Sequence, residues 1–272
     1  MLLKISGLPR STYYEIRNRQ DKDVKNADLI KQIKEIVSQN NNLYGYRRVA
    51  LELRNKGFIV NHKKVLRLMK KEGILARIRR KRKYSSYRGE IGKIADNHIK
   101  RHFEATKPNQ KWFTDVTEFH LRGEKLYLSP ILDAHGRYIV SYNISTSPNL
   151  EQIKDMLKKA ISKGIDYKGL ILHSDQGWQY QHNTYQKTLK EYGMIQSMSR
   201  KGNSVDNGLM EGFFGILKCE MFYGKEKDYK SIQDLIKAID DYMYYYNHQR
   251  IKVKLNGLTP IQFRNQSMLD IS

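Results

Sequence analysis

Cysteine is almost absent from this 272-residue sequence, which contains Cys219 alone. A single thiol excludes an internal disulfide and leaves too few sulfur ligands for a zinc–thiolate site. Long apolar runs are missing too, since no stretch approaches the roughly 18 residues of a membrane helix. The opening segment MLLKISGLPRS is too short and too interrupted for a secretory signal. These absences predict a soluble, cytoplasmic protein with no membrane partner.

Acidic residues are few, and they are unevenly placed. The chain has 50 Lys and Arg against 28 Asp and Glu, a formal net charge of +22. Residues 1–101 hold 27 basic and 9 acidic residues, whereas the remainder holds 23 and 19. Basic side chains neutralise DNA phosphates, while acids in a nearly neutral region stay free for metal. The charge pattern therefore predicts a DNA-processing protein associated with the nucleoid.

The basic first part reads as three helices. Apolar residues recur at helical spacing from Asp28 to Val37 and from Tyr46 to Leu53, Gly57 ends the second helix, and Asn61 can cap a third. Two short helices, the second one basic, predict a helix-turn-helix whose second helix enters the major groove. A plain helical bundle with a solvated basic face is the alternative. The predicted DNA contacts on the third helix are Lys63, Lys64 and Arg67.

The run ARIRRKRKY is too densely charged to be part of a core and is typical of a segment that follows phosphates. Its predicted DNA contacts are Arg79, Arg80 and Arg82. Pro108 marks the entry into a second domain. We expect a helical DNA-binding region at 1–76, a basic linker at 77–106, a catalytic core at 107–222 and a helical extension at 223–272.

The second part alternates strand and helix patterns. Strands are predicted at 111–121, 125–133, 138–145, 170–175 and 195–199, and helices at 149–164, 182–192, 204–222 and 231–249. An antiparallel start followed by alternating helices and strands predicts an α/β fold, a mixed five-stranded sheet with helices on both faces. The tyrosines that end the last helix are expected to pack on the core, with base stacking as the alternative.

Three carboxylates occupy distinctive places in this layout. Asp115 interrupts an apolar strand, Asp175 ends another, and Glu211 lies on a helix, with 35 residues between it and Asp175. The carboxyl end of a strand in an open α/β sheet is where such folds keep their sites. A cluster of acids that would otherwise repel one another implies a site for a hard divalent cation such as Mg²⁺. Two such ions suit phosphoryl displacement.

The helix that carries Glu211 has a small, polar stripe. Spacings of three, four and seven residues align Asn207, Gly208, Glu211, Gly215 and Lys218. Such a stripe can face DNA, with Lys218 and Asn207 as contacts, or a neighbouring helix. The basic pair before the helix and a histidine two residues before Asp175 are further predicted DNA contacts, namely Arg200, Lys201 and His173. A structural, hydrogen-bonded role is the alternative for His173.

Three stretches carry a family resemblance: HSDQGWQY, MSRKGNSVDNGLMEGFFGILKCE and YYNHQRIKVKLNGLTPIQF. They resemble the second-frame (OrfB) protein of IS-three-type insertion sequences, a transposase whose DDE core is similar to that of retroviral integrases. The resemblance covers nearly the whole chain, although Gly208 and Leu209 depart mildly from the residues usual after the family's Asp-Asn pair. It implies a ribonuclease H-like fold and catalytic, metal-binding roles for Asp115, Asp175 and Glu211.

The same resemblance implies the reaction and the partners. The expected activity is Mg²⁺-dependent 3′-end cleavage and strand transfer with two ions, for which Mn²⁺ substitutes, through a circular joined-end intermediate. The expected partners are the terminal inverted repeats, target DNA, further copies of the chain and a first-frame (OrfA) protein or a fusion with it. The alternatives are a ribonuclease H-like nuclease without strand transfer and a non-catalytic DNA-binding regulator.

Two other recombinase chemistries fit the sequence poorly. The string from His98 to Arg101 matches an H-x-x-R pattern but lies in a basic linker, and no tyrosine follows Tyr246 to serve as a late nucleophile. Ser11, the candidate for a serine recombinase, precedes only helical, basic sequence. A covalent enzyme–DNA intermediate is therefore not expected.

Overall fold

The computed structural model describes residues 9–14, 26–76 and 94–269. The chain divides into two compact units between Ile78 and Arg79. Within the described ranges, no helix is long and apolar enough to cross a membrane. Three of the predicted DNA contacts lie outside the described residues, namely Arg79, Arg80 and Arg82.

The first unit contains the three expected helices, α1 (Ala27–Gln39), α2 (Tyr46–Asn55) and α3 (His62–Lys71). Gly57 follows α2 with a φ of +87°, a conformation that suits glycine and ends the helix. Asn61 caps α3 by accepting a hydrogen bond from the N–H of Lys63 at 2.8 Å. The buried side of α3 consists of Val65, Leu68 and Met69, and its exposed side includes Lys63, Lys64 and Arg67, as predicted.

The second unit contains six strand segments and six α-helices among the described residues. The strands are β1 (Lys111–Thr114), β2 (Thr117–Leu121), β3 (Glu124–Asp133), β4 (Tyr138–Ser145), β5 (Ile171–Ser174) and β6 (Ile195–Met198). The helices are α4 (Leu150–Ile161), α5 (Trp178–Gln181), α6 (Asn183–Glu191), α7 (Gly208–Leu217), α8 (Ile232–His248) and α9 (Pro260–Leu269).

One mixed sheet joins all six segments. Strand β3 pairs antiparallel with β1, β2 and β4, whereas β1, β5 and β6 run parallel. Segments β1 and β2 keep one register on β3, because Thr114 pairs with Ile131 and Thr117 pairs with Leu128. They form a single strand with a break, so the sheet has five positions, as predicted, and this strand is central.

The break at Asp115 and Val116 corrects the prediction of a continuous strand over 111–121. The shared register places Asp115 opposite Pro130, which has no N–H to donate to a ladder. The N–H of Val116 instead donates to the Asp115 carboxylate at 2.7 Å. Local hydrogen bonding thus replaces the strand at the acidic residue.

Helices cover both faces of the sheet, because neighbouring residues of β1 point to opposite sides. Phe113 joins a core with α7 and α8, and Trp112 joins a second core with α4 and α6. Both residues are 0% exposed. The two-sided core is the layer arrangement that the sequence predicts.

Helix α9 is not among the helices that the sequence pattern predicts. Arg264 of α9 forms an ion pair with the fully buried Asp133 at 2.6 Å. Phe263 packs where Gly136 has a φ of +68°, and a Cβ on that glycine would lie 2.9 Å from the phenyl ring. The turn between β3 and β4 therefore requires glycine for its backbone conformation and for the approach of α9.

The predicted helix over 204–222 consists of three parts. A 3₁₀ turn (Ser204–Asn207) precedes α7, and a π turn (Lys218–Phe222) follows it. Glu220 of the π turn accepts hydrogen bonds from Arg250 at 2.6 and 2.8 Å and from the Tyr242 hydroxyl at 2.9 Å. Packing of the tyrosine-rich end is confirmed for Tyr246, which is 3% exposed, whereas Tyr244 is 59% exposed.

We expect Glu220→Gln to destabilise the protein by about 3–5 kcal/mol, because the Arg250 guanidinium would remain buried without its countercharge. The matched control is Glu191→Gln, which removes an exposed partner of Lys187 and should cost about 0.3–0.5 kcal/mol. Urea unfolding measures both free energies. Similar losses for the two variants would contradict a structural role for the Glu220–Arg250 pair.

Candidate active site

Asp115 and Asp175 follow adjacent parallel strands at the same edge of the sheet. Phe113 of β1 pairs with His173 of β5, so two residues further along the acids leave the sheet side by side. One oxygen of each carboxylate accepts a local N–H, from Val116 at 2.7 Å and from Gly177 at 2.9 Å. These bonds fix the orientation of both half-buried carboxylates.

The environment of this pair opposes negative charge. Burial and the charge of Asp175 raise the pKa of Asp115 well above its usual range, and Glu211 adds to the rise. The Val116 N–H and the Lys218 ammonium act in the opposite direction. Burial likewise raises the pKa of Asp175, against the hydrogen bond from Gly177. Adjacent acids in such a setting either share protons or bind a cation.

Glu211 lies in the first turn of α7 and is half-buried. It comes near enough to Asp115 to influence that carboxylate electrostatically. Across the described ranges, however, no three acidic, histidine or cysteine side chains form a ready group for one metal ion. The structure therefore brings two acids together with the third nearby, and a metal site with three carboxylates stays a prediction.

Tyr180 is a site residue that the sequence did not reveal. It lies on α5, is 0% exposed, and its hydroxyl is 3.4 Å from Oγ1 of Thr114. Burial and the charges of Asp115 and Asp175 raise its pKa well above the usual value. The available signal was the pattern HSDQGWQY, which puts a tyrosine six residues past the strand end. A buried, neutral phenol thus lies within electrostatic range of both acids.

Asn207 was predicted to contact DNA, and its burial corrects that prediction. The residue is 3% exposed, and its Nδ2 donates to the backbone carbonyl of Thr114 at 3.1 Å. Its Oδ1 has no hydrogen-bond partner within the described chain. Asn207 ties the start of α7 to the end of β1, which places Glu211 near Asp115.

The prediction that His173 contacts DNA is also wrong, because the residue is 0% exposed. Its Nδ1 lies 2.8 Å from Oγ of Ser197, and its Nε2 lies 3.2 Å from Oγ of Ser199. Burial lowers its pKa to about 4, so the imidazole is neutral at physiological pH. Strand β5 lies between β1 and β6, so His173 is enclosed within the sheet. The structural, hydrogen-bonded role that was the alternative for His173 therefore applies.

Lys218 directly follows α7 and lies within electrostatic range of Asp115, on the side that the helical stripe predicted. Its Nζ donates to the backbone carbonyl of Glu118 at 2.6 Å and lies 5.0 Å from the centre of the Phe119 ring. Burial lowers its pKa to about 8. The ammonium is held by the protein, and its contact with DNA stays a prediction.

The remaining predicted contacts among the described residues are exposed. Arg200 binds Asp206, with its Nε 2.9 Å from a carboxylate oxygen, and Lys201 lies in the following turn. In the first unit, the exposed residues of α3 are Lys63, Lys64 and Arg67. Their roles in DNA binding stay predictions.

Comparison with known proteins identifies the family. The integrase core domain model matches residues 105–204, a second integrase core model matches 211–268, and an HTH-like domain model matches 24–82. A putative transposase of insertion sequence IS150 from Escherichia coli K12 is 48% identical, covering 98% of this chain and 94% of the relative. The chain belongs to the insertion-sequence transposases. It is accordingly a polynucleotidyl transferase of the DDE type.

A further relative agrees with this assignment, and one solved structure shares the fold. An uncharacterized transposase-like protein of Haemophilus influenzae is 50% identical over 77% of this chain and 95% of its own length. A chain of the simian T-cell lymphotropic virus intasome in complex with PP2A regulatory subunit B56 gamma has a TM-score of 0.53 at 16% identity. It covers 85% of this chain and 74% of that chain. The predicted family and fold, including the helix-turn-helix-like region, are confirmed.

Proposed function

We propose that this transposase cleaves and joins DNA strands at the ends of an insertion sequence, with Asp115, Asp175 and Glu211 as its catalytic carboxylates. The observation that carries the proposal is the placement of Asp115 beside Asp175, with Glu211 in electrostatic range, in a chain of this family. The substrate DNA is bound by the basic helical region 1–76 and the linker 77–106, whose last part packs on the second unit through Ile99. Residues 107–222 with their extension 223–272 perform the reaction.

The proposed cofactor is Mg²⁺, as two ions that Mn²⁺ can replace. The donor set fits, because carboxylate oxygens are the protein ligands that hard divalent cations prefer. The charges of Asp175 and Glu211 disfavour a charged Asp115, and a bound cation would offset that repulsion. When bound, two such ions supply activation of the attacking oxygen and stabilisation of the leaving oxygen.

The chain's own groups arrange this chemistry. Val116 and Gly177 each hold one oxygen of an aspartate, which leaves the other oxygen for a cation. Tyr180 is a buried, neutral phenol within electrostatic range of both aspartates. Water attacks a phosphodiester at the element end and leaves a 3′ hydroxyl and a 5′ phosphate. That hydroxyl then attacks a second phosphodiester and displaces its 3′ oxygen.

The proposed partners are the terminal inverted repeats and target DNA, held by several copies of the chain within the bacterial nucleoid. A first-frame (OrfA) protein, or a fusion with it, completes the active species, and the first joining produces a circular intermediate. These details rest on the family to which the chain belongs.

Strand transfer from a preprocessed end tests the proposal. A labelled duplex of the element end that already carries its 3′ hydroxyl, incubated with plasmid DNA and Mg²⁺, should become covalently joined to the plasmid. The control duplex ends in a 3′ dideoxynucleotide and should not join. Hydrolysis without joining would indicate a ribonuclease H-like nuclease, and binding with neither reaction would indicate a regulator. Either result would contradict the proposal.

A further inference from the structure

Asp206 is a fully buried carboxylate on which three side chains converge. It is 0% exposed and accepts hydrogen bonds from Nδ2 of Asn97 at 3.0 Å, Nε of Arg101 at 3.0 Å and Nε of Arg200 at 2.9 Å. The backbone N–H and a second guanidinium nitrogen of Arg200 also donate to it. The Arg200 hydrogen bonds hold the pKa of Asp206 well below its usual range, although burial opposes this.

The segment that delivers Arg101 has an unusual backbone. Lys100 and Arg101 have φ angles of +46° and +66°, a left-handed conformation that non-glycine residues rarely adopt in succession. Oδ1 of Asn97 stabilises this turn by accepting hydrogen bonds from the N–H groups of Ile99 at 3.1 Å and Lys100 at 2.8 Å. The side chain of Ile99 is 1% exposed and packs in the core. Strain that the surroundings maintain in this way is concentrated at functional sites.

The two arginines remain accessible although Asp206 is buried. Their side chains are 49% exposed for Arg101 and 56% exposed for Arg200. Asp206 engages one side of each guanidinium, and within the described residues the other N–H groups have no partner. Two positive charges on one carboxylate leave a net positive charge at the surface. The exposed Lys100 and Lys201, which are neighbours of Arg101 and Arg200 in the chain, add to it.

This arginine pair, Arg101 with Arg200, lies close to the acids. Asn207, the residue after Asp206, binds the carbonyl of Thr114, which directly precedes Asp115. A planar guanidinium presents N–H donors with the spacing of phosphate oxygens, and fixed guanidinium groups lose little freedom on binding. In a chain with a formal charge of +22, the polyanion that fits is DNA.

We propose that Asp206 fixes Arg101 and Arg200 as a guanidinium pair that binds a backbone phosphate of DNA beside the catalytic carboxylates. This inference deepens the proposed function and rests on it, because it assigns the DNA path next to the reacting strand. Asp206 is a positioning residue in this scheme, and the arginine pair provides the contact.

The direction in which Asp206→Asn changes the affinity for DNA tests the proposal. Asp206→Asn removes a negative charge, so long-range electrostatics alone predicts tighter DNA binding. If Asp206 holds the arginines, binding should instead weaken, and the slope of log K against log salt should fall by about 0.9 for the lost phosphate contact. Full-length protein and a mixed-sequence duplex in EDTA, measured by fluorescence anisotropy over a salt series, provide both quantities.

The matched control is Asp133→Asn, which removes another fully buried carboxylate from its arginine, Arg264. It should retain the parental slope. Thermal melting confirms that both variants are folded at the temperature of the binding assay. Tighter binding by Asp206→Asn, or a parental slope in that variant, would overturn the proposal.

A second pair of variants keeps the test decisive if Asp206→Asn does not fold. Arg101→Gln leaves the Arg200 hydrogen bonds to Asp206 in place, and Lys100→Gln makes the same change in net charge one residue away. Arg101→Gln should reduce the salt slope more than Lys100→Gln, and equal slopes would exclude a specific contact. Because no catalysis occurs in EDTA, failure here would leave the strand-transfer test unaffected, and the reverse also holds.

Discussion

Asp115→Asn, Asp175→Asn and Glu211→Gln should each abolish strand cleavage and strand joining while DNA binding persists. The neutral side chains keep nearly the same volume, so they create no cavity. They remove the charge that binds divalent cations. Single-turnover assays on a labelled element end in Mg²⁺ measure both reactions. Glu151→Gln, on the exposed surface of α4, is the matched control and should react like the parent protein.

The same variants should separate activity from stability. A carboxyl group whose pKa is raised on folding favours the folded state at low pH, and that contribution is lost as the pH rises through the raised pKa. At neutral pH without metal, Asp115 therefore destabilises the fold, because burial and Asp175 disfavour its charge. Asp115→Asn should melt at a higher temperature than the parent in EDTA at neutral pH, and the difference should shrink toward the ordinary aspartate pKa.

Two results would contradict the assignment of these carboxylates. Retained strand transfer in any of the three variants would remove that residue from the catalytic set. A lower melting temperature for Asp115→Asn in EDTA would show that the acid pair stabilises the fold and lacks the proposed charge conflict.

A fragment of residues 1–93 should bind DNA far more tightly than 94–272, with a much steeper salt dependence. Residues 1–93 carry 25 basic against 8 acidic residues, whereas the rest of the chain, which keeps the core residue Ile99, carries 25 against 20. Each phosphate that a fragment neutralises contributes about 0.9 to the slope of log K against log salt. Titrations of both fragments over a salt series measure the difference. Equal slopes would place the main DNA anchor in the second part of the chain.

Much of the second unit could be predicted from local patterns. Apolar alternation predicted the strands, and β4 coincides with its predicted range over 138–145. Helix α9 could not be predicted from its sequence because it has no apolar stripe, and Pro260 is its one buried residue among those described. An ion pair between Arg264 and Asp133 holds it, and a contact across that distance leaves no periodic signal.

The candidate site shows the same limit. The positions of Asp115 and Asp175 follow from strand patterns and edge chemistry. The burial of His173 and Asn207 depends on Ser197, Ser199 and Thr114, which the local sequence does not connect to them. Likewise, nothing near Asp206 in the sequence indicates Arg101 as its partner. Residue type suggested contact with DNA for His173 and Asn207, and tertiary packing decided the role of each.

The broken central strand also sets what kinds of sequence change the site can tolerate. Thr114 and Thr117 keep one register on β3, so the two residues between them provide no slack in length. Deleting or inserting one residue there would turn every side chain of β1 or β2 to the opposite face. Substitutions can therefore alter the surroundings of Asp115, whereas changes in chain length would have to fall before Lys111 or after Leu121.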